Sequence, residues 1–180
     1  MTANAKIVPF EALAPWRAAL APNRSPLVVT NGCFDILHVG HAQTLAEARS
    51  LGASLLVGIT GDAGVRVLKG EARPIFPEQE RAELIAAFAA VDFVCVFPHV
   101  NAVEFLRFAR PDIYAKGGGY ALETINMEER TLLEAMRVPI KFLAIREGRS
   151  SSNAIRALQG HKSEGLQRAT FAGALPRTDY

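Results

Sequence analysis

His38 and His41 stand three residues apart, with Gly40 between them, just downstream of the apolar run Leu27-Val28-Val29 and the stretch Thr30-Asn31-Gly32-Cys33-Phe34-Asp35-Ile36-Leu37. At that spacing two imidazoles share one side of a helix or of its entrance. A strand, a Gly-containing turn and a helix start, in that order, make an anion site, because the first backbone N–H groups of a helix lack partners within it and point at whatever lies there. Imidazoles beside such amides suit phosphates that react as well as bind. Each ring N–H can donate to a phosphate oxygen, and a polyanion is expected to keep an imidazole protonated near neutral pH. Zinc binding by the pair is disfavoured, since no Cys, Glu or third His stands at ligand spacing nearby.

Further groups with phosphate chemistry recur downstream. Lys69 and Arg73 lie in Leu68-Lys69-Gly70-Glu71-Ala72-Arg73-Pro74, within a polar connection over 62–76 that could fold over a ligand and exclude water. Lys116 follows the apolar residues Ile113-Tyr114-Ala115 and precedes Gly117-Gly118-Gly119, where missing side chains let backbone approach a ligand closely. Gly148-Arg149-Ser150-Ser151-Ser152-Asn153 leads into a helical pattern over 151–158; one hydroxyl there is explained by capping, and three in succession read as a second phosphate cradle. Arg149 either adds a phosphate contact or points outward. Asp35 either orders the histidine loop or meets a substrate, and Asp62 either caps its helix or meets an acceptor.

These groups need a scaffold, and the hydropathy pattern supplies one. Short Val/Ile/Leu-rich runs at 27–31, 54–60, 92–97, 112–115 and 139–145 read as strands. Helical segments fall between them at 40–51, 77–90, 101–110 and 122–137. Continuous rather than alternating apolar strands suit a parallel sheet covered on both faces. Strand–helix alternation with right-handed crossovers gives a doubly wound five-stranded parallel α/β domain, with its ligands at the carboxyl ends of the strands. Strand one is expected to be central. The domain is expected over 25–160, preceded by an N-terminal helical extension over 1–24 and followed by a tail over 161–180. A short amphipathic helix over 10–20 carries the lone Trp16, placed either against the body of the chain or against a second copy.

Bulk properties narrow the function classes. The 180 residues are 49% apolar and 21% charged, as in ordinary globular proteins. Twenty basic against 18 acidic residues leave a formal charge of +2 and no basic block. Nucleic acid and anionic membranes are therefore not expected partners. The N-terminal residues lack a signal-peptide plan, and no apolar run approaches a membrane span. Cys33 and Cys95 form no motif and read as reduced thiols, so the expected compartment is cytoplasmic.

The four blocks in order (the histidine loop, 68–74, 115–120 and 147–153) resemble the HxGH-type, cytidylyltransferase-like nucleotidyltransferase superfamily. Its sugar-phosphate and phospho-alcohol branch is the nearer match, and within it the adenylyltransferase domain acting on D-glycero-β-D-manno-heptose 1-phosphate. The resemblance implies a Rossmann-like nucleotidyltransferase fold with strand order 3-2-1-4-5. It implies attack by an acceptor phosphate oxygen on the α-phosphorus of a nucleoside triphosphate, with pyrophosphate leaving. His38, His41 and Lys69 are then catalytic. Asn31, Gly32, Cys33, Phe34, Gly40, Lys116, Gly117, Arg149, Ser150, Ser151 and Ser152 hold nucleotide and phosphates, and Asp35, Asp62, Arg73 and Gly118 serve the acceptor. Mg²⁺ is expected on the substrate phosphates, with no protein metal cage. ATP with heptose 1-phosphate is the first substrate pair, and CTP with glycerol 3-phosphate or a similar phospho-alcohol the alternative. From another class comes a non-catalytic nucleotide-binding module. A homodimer is implied. Two positions depart from the heptose-type pattern: Gly119 stands where Asp is expected, and Arg149 where Cys or Ile is expected.

Overall fold

Leu27, Val29 and Leu56 belong to one apolar cluster and Val28, Leu55, Val57 and Ile59 to another, so adjacent strands bury both of their faces, as a sheet between two helical layers requires. The computed structural model describes residues 3–117 and 120–143. Its five strands are β1 (Leu27–Gly32), β2 (Ser54–Thr60), β3 (Phe93–Phe97), β4 (Ile113–Lys116) and β5 (Ile140–Phe142). All four pairings are parallel and the order is β3-β2-β1-β4-β5, as the resemblance implied. Central β1 pairs with β2 (Val29 opposite Leu56) and with β4 (Val29 opposite Tyr114). The chain therefore leaves β1 toward one edge and returns to its other side. The crevice at the carboxyl ends of β1 and β4 is the topological switch point, where open α/β sheets bind ligands.

The helices are α1 (Leu13–Ala18), α2 (Val39–Ser50), α3 (Asp62–Lys69), α4 (Glu78–Ala86), α5 (Val103–Ala109) and α6 (Met127–Ala135). Leu45 and Ala48 of α2 and Ile85 and Ala86 of α4 cover one face; Leu13, Phe105, Leu106 and Leu133 cover the other. Helix α3 occupies the first half of the connection over 62–76. Its apolar residues do not mark a buried face: only Gly64 and Val65 turn inward, while Val67 and Leu68 face out. Helix α6 starts later than expected because the Asn126 side chain accepts from the Glu128 and Glu129 N–H groups and caps it there.

The N-terminal segment is packed into the body. The Val8 N–H donates to the Val94 carbonyl at 2.8 Å, Ile7 bridges in parallel to Val94, and Leu13 is fully buried. It lies over the β3 edge that would otherwise expose unpaired backbone. Trp16 sits edge-on to Phe93 with ring centroids 4.8 Å apart, so its ring is used for packing within the chain. A cavity of about 580 Å³, lined by Arg17, Phe108, Arg110 and Val138 among others, opens by the amino ends of β4 and β5. It lies at the end of the sheet away from the histidine loop. No described helix is long and apolar enough to cross a membrane.

Candidate functional site

The histidine loop leaves β1 at Gly32 and enters α2 at His38, whose extended backbone (φ −146°, ψ 169°) makes it the N-cap. His41 Nδ1 accepts from the His38 N–H at 3.2 Å, and the two rings lie 3.9 Å apart, tilted by 32°. The spacing thus has a local cause. A Cβ on Gly40 would come within 2.9 Å of the His38 ring, so only glycine allows that ring to fold back. Phe34, held at φ 47°, places its ring against Gly32 and 5.5 Å from the His41 ring.

Acceptance at Nδ1 fixes the His41 tautomer, leaving Nε2 as the N–H donor. Burial, and then the charges of His38 and Lys69, push its pKa down from 6.5 to about 4. The sequence led us to expect imidazoles kept charged by a polyanion; without a ligand, His41 is neutral. Lys69 lies at the exposed end of α3, and its charge is the smallest of the three influences on His41.

Asp35 ties the histidine loop to residues 70–76, the flap between α3 and α4. Its buried carboxylate pairs with the Arg73 guanidinium and accepts from the Ile75 N–H at 2.7 Å and the Phe76 N–H at 3.3 Å. This is the loop-ordering arrangement of the two considered for Asp35. The Asp62 N–H at the start of α3 donates to Glu78 Oε2 at 2.7 Å, and the Asp62 carboxylate pairs with Arg81 at 2.7 Å. Arg81, fully buried, also donates to the carbonyls of Cys33, Thr60 and Phe76. One guanidinium therefore joins the ends of β1 and β2, the start of α3 and the end of the flap.

Lys116 closes the opposite wall. It ends β4 with its ammonium 3.0 Å from Asn31 Oδ1, 2.9 Å from the Tyr114 hydroxyl and 3.8 Å from Glu129 Oε2. Tyr114 in turn donates to Asn31 Oδ1 at 2.5 Å, with Glu129 Oε2 at 3.3 Å. Burial, then Glu129, pushes the Tyr114 pKa well above 10, so its hydroxyl stays protonated. The structure thus brings His38, His41, Asn31 and Lys116 to the carboxyl ends of β1 and β4, while Lys69 lies at the exposed end of α3. Gly118, Arg149, Ser150, Ser151 and Ser152, the helical pattern over 151–158 and the tail lie outside the described residues.

Residues 29–157 match the cytidylyltransferase-like family. The chain belongs to that family. Among curated relatives it is 41% identical over 139 residues to the bifunctional protein HldE of Syntrophotalea carbinolica, covering 77% of this chain and 28% of that protein. It is 42% identical over 163 residues to the HldE of Koribacter versatilis, covering 88% and 32%. The chain thus spans about a third or less of those relatives' length. Among solved structures, a lipopolysaccharide core biosynthesis protein from Thermoplasma volcanium superposes with a TM-score of 0.58 at 28% identity, over 67% of this chain and 98% of that one. A pantoate–β-alanine ligase from Francisella tularensis, 14% identical with a TM-score of 0.55 over 81% of this chain and 68% of that one, shares the fold.

Sequence reasoning did not single out Arg81, Glu129 or Tyr114 in this cytidylyltransferase-like chain. Arg81 carried a usable signal, since it shares with Ala82, Ile85 and Ala86 the buried side of a short helix. A charged residue there needs partners. Glu129 carried none, because a Glu in the first turn of a helix is ordinary.

Gly117 brings β4 against α2: a Cβ there would overlap the Thr44 Cγ2 methyl. Gly117→Ala is expected to cost about 1–3 kcal/mol by overpacking. Thr44→Ser, which removes that methyl, should restore most of the loss in chemical denaturation. A Gly117→Ala variant as stable as the parent would exclude this contact.

Proposed function

We propose that this chain transfers a nucleoside monophosphate from a nucleoside triphosphate to the phosphate of a small acceptor, releasing pyrophosphate. The observation that carries the reading is the close His38–His41 pair at the α2 N-terminus, with the Lys116 ammonium at the carboxyl end of neighbouring β4, both at the switch point. In-line displacement at phosphorus needs alignment of two polyanions and stabilisation of charge as it builds, rather than covalent help from the protein. In this reading the α2 amides and the imidazole N–H groups hold the triphosphate. Lys69 and Lys116 face the charge developing on the α-phosphoryl and the leaving group. The nucleotide lies over Asn31, Gly32, Cys33 and Phe34. Asp35, Asp62, Arg73 and Arg81 hold the flap in place rather than touching the acceptor, since both carboxylates are already paired with arginines.

Mg²⁺ belongs to the proposal as a cation carried by the substrate phosphates, where it would offset their charge. The described residues hold no group of three or more His, Cys, Asp or Glu able to form a cage, and no step here is assigned to a protein-held metal.

ATP with a heptose 1-phosphate is the favoured substrate pair. It is supported by the four sequence blocks and by relatives named as HldE and as a lipopolysaccharide core biosynthesis protein. CTP with a phospho-alcohol is the second reading, favoured by Gly119 standing where the heptose-type pattern carries Asp. The proposed setting is the cytoplasm and the proposed assembly a homodimer, whose mass light scattering reads. A matrix of ATP and CTP against sugar 1-phosphates and polyol phosphates, followed by pyrophosphate release, tests the function. Turnover only with ATP and a heptose 1-phosphate is expected. Nucleotide binding without pyrophosphate from any acceptor would replace the enzyme reading by a binding module.

A further inference from the structure

Behind the candidate site stands a carboxylate that the proposed reaction does not use. Glu129, in the first turn of α6, is only 5% exposed. A carboxylate so placed is costly unless charges and donors surround it. One oxygen accepts from the Ala102 N–H, at the start of α5, at 2.9 Å. The other lies 3.3 Å from the Tyr114 hydroxyl and 3.8 Å from the Lys116 ammonium. Glu129 is thus the acidic partner of Lys116, the one buried lysine among the described residues.

We propose that Glu129 is a positioning residue for nucleotidyl transfer, holding the Lys116 ammonium in place at the gap between the carboxyl ends of β1 and β4. Its catalytic consequence rests on the function proposed above. An ammonium has three protons. Asn31 Oδ1 and the Tyr114 oxygen take two, and Glu129 lies just beyond hydrogen-bond reach, so one N–H is left for a ligand oxygen. The arrangement works as a relay of orientation: the α5 amide fixes Glu129, Glu129 and Tyr114 fix the lysine, and Asn31 aims it from β1. The Tyr120 ring, with the ammonium 4.9 Å from its centroid, covers another side.

The titratable groups facing Lys116 are Glu129 from α6, Tyr114 on its own strand, Tyr120 from the following segment and Cys33 from the histidine loop. Burial lowers the lysine below its usual 10.5, and Glu129, then Cys33, oppose that fall. Removing the Glu129 charge should leave burial less opposed, so that Lys116 loses its proton at lower pH. Glu129→Gln keeps an oxygen for the Ala102 amide while removing the charge.

The test follows the side-chain resonance of Lys116 in lysine-labelled protein against pH, beside the pH profile of pyrophosphate release. Glu129→Gln is expected to lower the Lys116 midpoint by about one to three units, the range for losing a close opposite charge. The alkaline limb of kcat/KM should move with it, and Glu129→Asp should restore part of both. A midpoint equal to the parent's overturns the inference. A midpoint that moves while the limb stays overturns its catalytic half and removes Lys116 from the proposed reaction, leaving the rest of that reaction standing. If Glu129→Gln does not fold, Lys116→Met/Glu129→Gln removes both charges together. Recovered folding supports the pair, and no recovery overturns it.

Discussion

His41→Ala is expected to lower kcat for pyrophosphate release by about two to three orders of magnitude, the cost of deleting one preorganised donor to developing negative charge. The fold should survive, because His41 lies at the site end of α2, outside both apolar clusters. The change removes the Nε2–H donor that the His38 amide orients through Nδ1. It also removes a titration. In the free protein His41 is held at about 4, below the ordinary 6.5, so it stays neutral through the working range. A bound triphosphate favours the imidazolium, whose added proton at Nδ1 displaces the His38 N–H contact, and raises that value. Between the free and the bound pKa the complex carries a proton that the free protein lacks. Binding therefore takes up a proton, and triphosphate affinity strengthens as pH falls from 7 toward 5. Titration calorimetry in buffers of different ionisation enthalpy reads the uptake, which His41→Ala should abolish. Parent-like turnover in this variant would sink the assigned role.

The elements were legible where burial is symmetric and long. The run Ser54–Thr60 is buried throughout and mainly apolar because both faces of β2 are covered, and its expected and observed bounds coincide. The histidine loop was equally legible, because Gly40 and the two imidazoles state a local geometry: a ring folded over a residue without a side chain. What stayed hidden depends on distant partners. Helix α3 exposes Val67 and Leu68 and buries little, and its neighbours in sequence say nothing of the Glu78 carboxylate that accepts its first N–H from 16 residues away. The neutral state of His41 was hidden for the same reason, since its first cause is burial by elements that meet only in the folded chain. Asp35 shows the limit of reading a carboxylate by position. Its place after β1 suggested either loop or substrate, and only the return of Arg73, Ile75 and Phe76 from 38 to 41 residues downstream shows it occupied by the flap.

Arg81→Met carries the largest expected loss of stability. The methionine keeps the buried alkyl volume and strands four acceptors: the carbonyls of Cys33, Thr60 and Phe76 and the Asp62 carboxylate. Breaking one partner of a buried ion pair costs about 3–5 kcal/mol, because the remaining charge is left uncompensated. For a chain of this size that corresponds to a fall in Tm of roughly 6–20 °C. Arg81→Lys should lie between, since an ammonium keeps the charge but cannot span four acceptors in the plane of a guanidinium. Asp62→Asn in the Arg81→Met background should recover part of the loss, because the stranded carboxylate is the costliest of the four. The damage should be local before it is global: with the guanidinium gone, the flap around 70–76 and the histidine loop lose their common anchor, and protease cleavage near Gly70 should precede unfolding of the sheet. A variant with the parent's Tm and flap protection would show that the four segments are held independently, and that the site's geometry does not pass through Arg81.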